Sequence, residues 1–192
     1  MFAQILLFVL DTVCGFLTLA LLVRFAMQWA RTPFRNPLGQ FIVAVTDWMV
    51  RPLRRLIPGL FGLDLASLLL AWLWQAIYQG IVLGLSGVLS AVSPAPTLVV
   101  AILALLEVAK IGIYLVIGAV VVSAVFSWVN PHAPLAEVFN TLTRPLLRPF
   151  RRVIPPIGGV DLSPLALLLV LQIALFIIAG LRQSVMPLML LS

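Results

Sequence analysis

Two short basic segments contain the side chains of this chain that are best suited to binding other molecules. Segments 51–58 (RPLRRLIP) and 148–155 (RPFRRVIP) carry three arginines and two prolines at the same spacing. A guanidinium group stays charged near neutral pH and presents paired donors that match phosphate and carboxylate oxygens. These segments therefore indicate anion-binding surfaces. Together with Arg144, they give the candidate lipid- or partner-binding set: Arg51, Arg54, Arg55, Arg144, Arg148, Arg151 and Arg152.

Two interpretations of these arginines are open. They orient a membrane protein and anchor it to anionic lipid, each cation contributing about 1 kcal/mol near the surface. Alternatively, they form a docking face for an acidic partner or a specific anionic lipid. The orientation of a membrane protein depends on the number of its basic residues and not on their exact spacing. The prolines and the spacing shared by the two segments therefore exceed what orientation alone requires.

Composition identifies the class of protein. Of the 192 residues, 63% are hydrophobic and only 9% are charged, with a mean hydropathy of +1.21. Soluble domains contain about a quarter charged residues, so this composition is typical of an integral membrane protein. The net charge of +6 does not indicate nucleic-acid binding, because the sequence has no extended basic arms and no base-stacking surface. Cys14 is the only cysteine, which excludes an intrachain disulfide.

Four apolar stretches are long enough to cross a hydrocarbon layer of about 30 Å. The first is too long to be a cleavable signal peptide and lacks a basic n-region. Arg24 follows it, and we expect this side chain to snorkel to the membrane interface. The fourth stretch ends at Arg182. The predicted spans are about 2–23, 65–85, 98–128 and 165–181.

The basic residues predict an orientation. Most of them lie in two connections, at 31–55 and 144–152, and the positive-inside rule places such connections in the cytoplasm. The uncharged turn at 86–97 and both termini would then face outward. The predicted location is a bacterial cytoplasmic (inner) membrane.

The two halves of the chain predict a duplication. Residues 1–95 form the first repeat and residues 96–192 the second, each with an even number of spans, so the repeats are expected to be parallel. Each connection also shows helical spacing of apolar residues, which predicts an amphipathic helix lying at the interface at about 38–58 and 134–155. In the first connection the apolar positions are Phe41, Val45, Trp48 and Met49. Pro52 and Pro149 are expected to break or kink these helices.

A turn with glycine and aspartate precedes the second and fourth spans. Gly62 and Asp64 in the first repeat correspond to Gly159 and Asp161 in the second. We expect both aspartates to cap the following helix. In the second repeat Ser163, followed by Pro164, competes for the cap. Asp161 would then be free to pair with Arg151 or Arg152.

Five polar residues fall inside the apolar stretches: Asp11, Gln75, Glu107, Lys110 and Gln172. Gln75 and Gln172 lie about 16 Å into their spans, near mid-membrane, and an interhelical hydrogen bond between them is one prediction. Glu107 and Lys110 share a helix face and can neutralise each other, while Asp11 can pair with Lys110. The alternative for all five is the lining of a polar pathway.

No pattern of catalysis is present. The sequence lacks a nucleophile–base pair, a phosphate-binding glycine loop and metal-ligand spacing. His132 stands alone in a turn with the sequence NPHAP. We therefore predict no enzyme activity, no catalytic residues, no metal and no cofactor.

The chain resembles the YggT family of small bacterial membrane proteins, whose relatives include YlmG proteins and chloroplast homologues. The resemblance rests on Asn36-Pro37, the two basic segments, Ser127-Trp128 and residues 158–164 (GGVDLSP), and it covers nearly the whole chain. It implies four spans and a link to osmotic tolerance, cell division or nucleoid distribution, or assembly of membrane complexes. It implies no agreed biochemical activity.

Two functions remain open from the sequence. The first is a non-enzymatic scaffold or assembly factor that docks anionic lipid and a protein partner through its basic segments. The second is a small oligomeric transporter or channel that uses the intramembrane polar residues, since four spans can scarcely enclose a pathway alone.

Overall fold

The chain folds into helices. The computed structural model describes residues 1–56, 64–85, 95–154 and 161–185, and these ranges contain six helices and no strand. The predicted glycines Gly62 and Gly159 lie outside the described residues. The helices are α1 (Phe2–Trp29), α2 (Pro37–Leu56), α3 (Leu65–Leu85), α4 (Ala95–Val129), α5 (Pro134–Val153) and α6 (Ser163–Val185).

Four of these helices are long and apolar enough to cross a membrane: Phe2–Trp29, Leu65–Leu85, Thr97–Val129 and Ser163–Val185. The predicted all-α membrane fold with four spans is confirmed. The greatest difference is at the end of α1, which continues past Arg24 to Trp29. Arg24 does not end the helix because its charge is neutralised inside the protein, as described below.

The core forms where α1 and α3 pack against each other and against α4. Leu21 and Leu22 of α1 contact Ala71 of α3 and Val108 of α4 in one buried cluster. Helices α4 and α6 form a second contact through Val120 and Leu167. Small residues allow close approach in the lipid phase, where packing replaces the hydrophobic effect between helices.

Helices α2 and α5 connect the spans and pack against them by one side. Helix α2 buries Ile42, Met49 and Val50. Of the apolar face predicted for it, Met49 is buried whereas Phe41 and Trp48 are exposed. Helix α5 buries Leu142 and Leu147.

The internal prolines do not break these helices. Helix α2 continues through Pro52 to Leu56, and α5 continues through Pro145 and Pro149 to Val153. The predicted break was therefore wrong, whereas the alternative of a kink stays a prediction. A proline removes only one intrahelical donor, and packing of the apolar side against the spans can offset that loss.

Candidate functional site

A buried ion network joins the first three helices. The side chain of Arg24 is only 6% exposed, and its Nη1 donates to Thr46 Oγ1 at 2.7 Å and to Asp47 Oδ1 at 2.8 Å. Its Nε lies 3.4 Å from Asp64 Oδ2, an ion-pair contact without hydrogen-bond geometry. Arg51 adds a bond to Asp47 at 2.7 Å. Two carboxylates compensate the charge of Arg24 inside the fold, and its position at the membrane interface stays a prediction.

Asp64 is the most enclosed member of the network. It accepts two bonds from Arg54, at 3.1 and 2.5 Å, and one from the Ser67 hydroxyl at 2.7 Å. Burial alone would raise the pKa of Asp64, but the bonds from Arg54 and Ser67 outweigh burial and lower it. Asp64 also precedes α3, and its backbone carbonyl accepts from the Ser67 amide at 3.1 Å. It therefore joins the end of α2 to the beginning of α3.

The second half repeats part of this arrangement. Arg151 Nε lies 2.8 Å from Asp161 Oδ2, and this ion pair corresponds to that of Arg54 with Asp64 in the first half. Asp161 Oδ1 accepts from the Ser163 amide at 2.9 Å. Burial acts to raise the pKa of Asp161, but the bonds from Ser163 and Arg151 lower it overall. Asp161 thus both caps α6 and pairs with an arginine.

Ser163 does not have the capping role predicted for it. It is the first residue of α6, and its buried hydroxyl has no hydrogen-bond partner among the described residues. The Asp161 carboxylate binds the Ser163 amide instead, so no competition for the cap arises.

The two halves differ at the centre of the network. Counting back from Trp29 and Trp128, the position of Arg24 is taken in α4 by Ser123, which donates to Asn140 Oδ1 at 2.6 Å. Counting back from the two RP pairs, Asp47 corresponds to Arg144. The second half therefore has a serine at the position of the buried cation and an arginine at the position of the carboxylate.

As a consequence, α5 presents uncompensated positive charge. Arg144, Arg148 and Arg152 are exposed and form no ion pair with any residue in the described ranges. In α2, by contrast, Arg51 and Arg54 are both paired with aspartate. The predicted arginine set thus divides into paired residues, Arg51, Arg54 and Arg151, and residues without an ion pair in the described ranges, Arg55 on α2 and Arg144, Arg148 and Arg152 on α5.

The free arginines line an open depression of about 610 Å³ between α5 and the end of α1, which we call the basic groove. No Asp or Glu is among the described residues that line it. Its lining is Trp29, Ala30, Arg31, Thr141, Arg144, Pro145, Arg148, Arg151 and Arg152.

Arg31 enters the basic groove from an unusual turn. Its φ of 55° lies in the left-handed region that favours glycine. The Arg31 amide donates to Gln28 O at 3.0 Å and the Thr32 amide to Met27 O at 2.8 Å. These two bonds form a Schellman motif, in which glycine usually holds the position of Arg31. A strained backbone therefore presents this cation.

The predicted intramembrane charges are mostly paired. Glu107 binds Lys110 at 2.5 Å, as predicted, and also Arg182 of α6 at 2.9 Å. Lys110 therefore pairs with Glu107 and not with Asp11. Asp11 lies close to Tyr78 of α3.

The two glutamines lie in different surroundings. Gln75 is buried, and its Nε2 donates to Thr18 Oγ1 of α1 at 3.0 Å. Gln172 is exposed on α6. The predicted interhelical hydrogen bond is confirmed for Gln75, but its partner is Thr18 of α1 and not Gln172.

Sequence reasoning missed the roles of Arg24, Asp47, Arg31 and Arg182. One signal was available for Arg24, since helical apolar character continues for five residues beyond it. Nothing in the sequence indicated the left-handed turn at Arg31. Within the described ranges, no group of three or more His, Cys, Asp or Glu side chains could hold a metal ion.

Comparisons with known proteins place the chain in a family. The sequence model of the CCB3/YggT family matches residues 3–85 and 102–182. The chain is 39% identical to the uncharacterised protein YggT of Escherichia coli K12 over 178 residues, covering 92% of this chain and 90% of that protein. An uncharacterised Pseudomonas aeruginosa protein is 38% identical over 173 residues, 86% of this chain and 84% of its own length.

A third relative, an uncharacterised protein of Vibrio alginolyticus, is 36% identical over 171 residues, covering 88% of this chain and 91% of its own length. No solved structure matches the chain. The match to the family model covers both basic segments and all four spans. The chain therefore belongs to the CCB3/YggT family.

Proposed function

We propose that the protein is a non-enzymatic scaffold or assembly factor of the bacterial cytoplasmic membrane. The end of the bundle that carries α2 and α5 faces the cytoplasm and docks anionic lipid and a protein partner. This docking connects the protein to osmotic tolerance or to cell division.

The observation that carries this proposal is the free charge on α5. Arg144, Arg148 and Arg152 lie exposed on one helix and form no ion pair with a carboxylate among the described residues. Three uncompensated cations repel one another, a cost that an anionic surface would remove. Structural arginines in the same chain, such as Arg24 and Arg54, are paired.

The state of the intramembrane groups gives further support. Glu107 is engaged by two cations, and Gln75 is hydrogen-bonded and buried at the contact between α1 and α3. Paired and packed groups of this kind stabilise helix association. A polar pathway would instead need groups that are free to exchange partners with a passing solute.

The proposal is tested by comparing two variants in cells, one double and one single. The double variant replaces Arg148 and Arg152 together with glutamine, and the single variant replaces Gln75 with leucine. We expect the arginine variant to reduce recovery of crosslinked partners and growth under osmotic stress, and Gln75→Leu to retain both. Normal partner recovery from the arginine variant, at normal protein level, would contradict docking by this face.

A small oligomeric transporter is the second candidate, and the exposure of Gln172 favours it. This amide lies about 14 Å from the start of α6, well inside the apolar span. An exposed amide in hydrocarbon is costly, and a second copy of the chain would shield it. Crosslinking through a cysteine at position 172 tests this candidate; a strictly monomeric protein would exclude it.

A further inference from the structure

We propose that the basic groove and an apolar cleft beside it form one binding site for a single anionic phospholipid. The phosphate lies among the arginines of α5 and Arg31, and an acyl chain lies in the cleft. This inference rests on the docking function proposed above and names the ligand of that surface.

The apolar cleft has a volume of about 350 Å³ and lies where α1, α3, α4 and α5 meet. Its walls are almost entirely hydrocarbon, including Phe25 of α1, Leu68 of α3 and Leu146 of α5. Gly112 of α4 leaves room in it, since a Cβ there would meet only Leu22 Cδ1, at 4.0 Å. Such a cleft suits an aliphatic chain and offers nothing to a polar solute.

The cleft and the basic groove adjoin each other. Trp29 forms part of both walls, at the end of α1. Helix α5 also lines both, with Leu142 and Leu146 in the cleft and Arg144 and Arg148 in the groove. A molecule that fills both must be charged at one end and aliphatic at the other. Tryptophan at the junction is typical of the level of lipid headgroups.

Charge selects the headgroup. Of the five arginines that line the groove, only Arg151 has a carboxylate partner, Asp161. The other guanidinium groups present donors that match phosphate oxygens. A zwitterionic headgroup would bring an ammonium group into the same field, so an anionic phospholipid fits better than a neutral one.

Arg31 supplies an independent argument. Glycine at its left-handed position would relieve backbone strain, yet the chain places a cation there and directs it into the groove. Strain retained at a surface turn is expected where the side chain has a function.

The test uses the purified full-length chain in detergent. The probes are dioleoyl phosphatidylglycerol and, as the neutral comparison, dioleoyl phosphatidylcholine, and bound lipid is counted by native mass spectrometry. The variants are Arg31→Gly, the pair Arg148→Gln with Arg152→Gln, and Gly112→Leu, which fills the cleft without changing the charge. Glycine suits the turn and leucine suits a helix, so Arg31→Gly and Gly112→Leu are not expected to impair folding.

Two matched controls come from the chain itself. Arg35→Gly removes one cation from the same connection as Arg31 but outside the groove. The pair Arg51→Gln with Arg55→Gln removes two cations at the corresponding positions of α2. These controls separate binding at one site from general attraction to a basic surface.

We expect wild-type protein to retain phosphatidylglycerol in preference to phosphatidylcholine. Each groove arginine removed should weaken retention about fivefold, and Gly112→Leu should also weaken it, while both controls stay near wild type. Equal loss in the α2 pair and the α5 pair would overturn the single site but leave a basic docking face in place. If retention weakened in the arginine variants but not in Gly112→Leu, the protein would bind only the phosphate group, and the proposal of an acyl chain in the cleft would be overturned. No loss in any variant would overturn both the site and the docking function.

Discussion

At the scale of single residues, the position of an arginine in this fold decides what it does. Arg24 is enclosed and held by Asp47 and near Asp64, so its charge is fully used within the protein. Arg148 and Arg152 are exposed and unpaired within the described residues, so their charge is available to a ligand. The same side-chain chemistry thus serves structure in α1 and recognition in α5.

The buried network gives the first prediction. Arg24→Gln should lower the free energy of unfolding by about 3 kcal/mol, because it leaves the enclosed carboxylate of Asp64 with less compensation. Arg55→Gln is the control, since Arg55 is exposed and unpaired in the described ranges, and it should change stability by less than about 0.5 kcal/mol.

Cys14 provides the measurement for this prediction. It is the only cysteine and is 2% exposed, so its reaction with a thiol-specific dye on heating reports unfolding of the bundle. If Arg24→Gln and Arg55→Gln melted at the same temperature, the network would not stabilise the fold.

At the scale of helices, apolar length and charge were sufficient to predict most of the architecture. Each predicted span matches an observed helix to within a few residues, as 65–85 does with Leu65–Leu85. The end of α1 was misplaced because a buried arginine and an interfacial one look alike in sequence. Their difference depends on Asp47 and Asp64, which reach Arg24 only after α2 folds back.

The candidate site was predictable only in part. The spacing of Arg148, Arg151 and Arg152 indicated an anion-binding surface, and these residues do line the basic groove. The sequence could not indicate that Arg31 joins them, since that contact depends on a backbone turn at the end of another helix. It did predict that Asp161 pairs with Arg151 or Arg152, and the pair with Arg151 is confirmed. It could not indicate which of the other arginines are compensated, because both halves carry the same motif.

The glutamines give a prediction at this scale. Gln75→Leu should destabilise the contact of α1 with α3 by about 0.5 to 1.5 kcal/mol, because the buried Thr18 hydroxyl loses its amide partner. Gln172→Leu, at the corresponding position of α6, should leave stability unchanged or raise it, since that amide is exposed among apolar residues. Equal destabilisation by the two substitutions would show that Gln172 also has a partner, which a second copy of the chain could supply.

At the scale of the whole molecule, the two ends of the bundle differ because α2 and α5 lie at one of them. Helix α2 connects α1 to α3, and helix α5 connects α4 to α6. Helices α2 and α5 therefore lie at the same end of the four membrane-spanning helices. Arginines of both connections gather there, including Arg31, Arg55 and Arg148. The end of α3 and the beginning of α4 lie at the opposite end, and the sequence between them carries no charge. This asymmetry determines which side of a membrane each end should face.

Orientation is therefore the prediction on which the proposed docking function depends. Lys and Arg near the ends of spans are retained in the cytoplasm, so the end with α2 and α5 should be cytoplasmic. In a Cys14→Ser background, Ser90→Cys should react with a membrane-impermeant maleimide on intact cells, whereas His132→Cys should react only after permeabilisation. The reverse pattern would place the basic groove outside the cell. The groove would then face away from cytoplasmic partners, and the docking function would fail even if the groove still bound lipid.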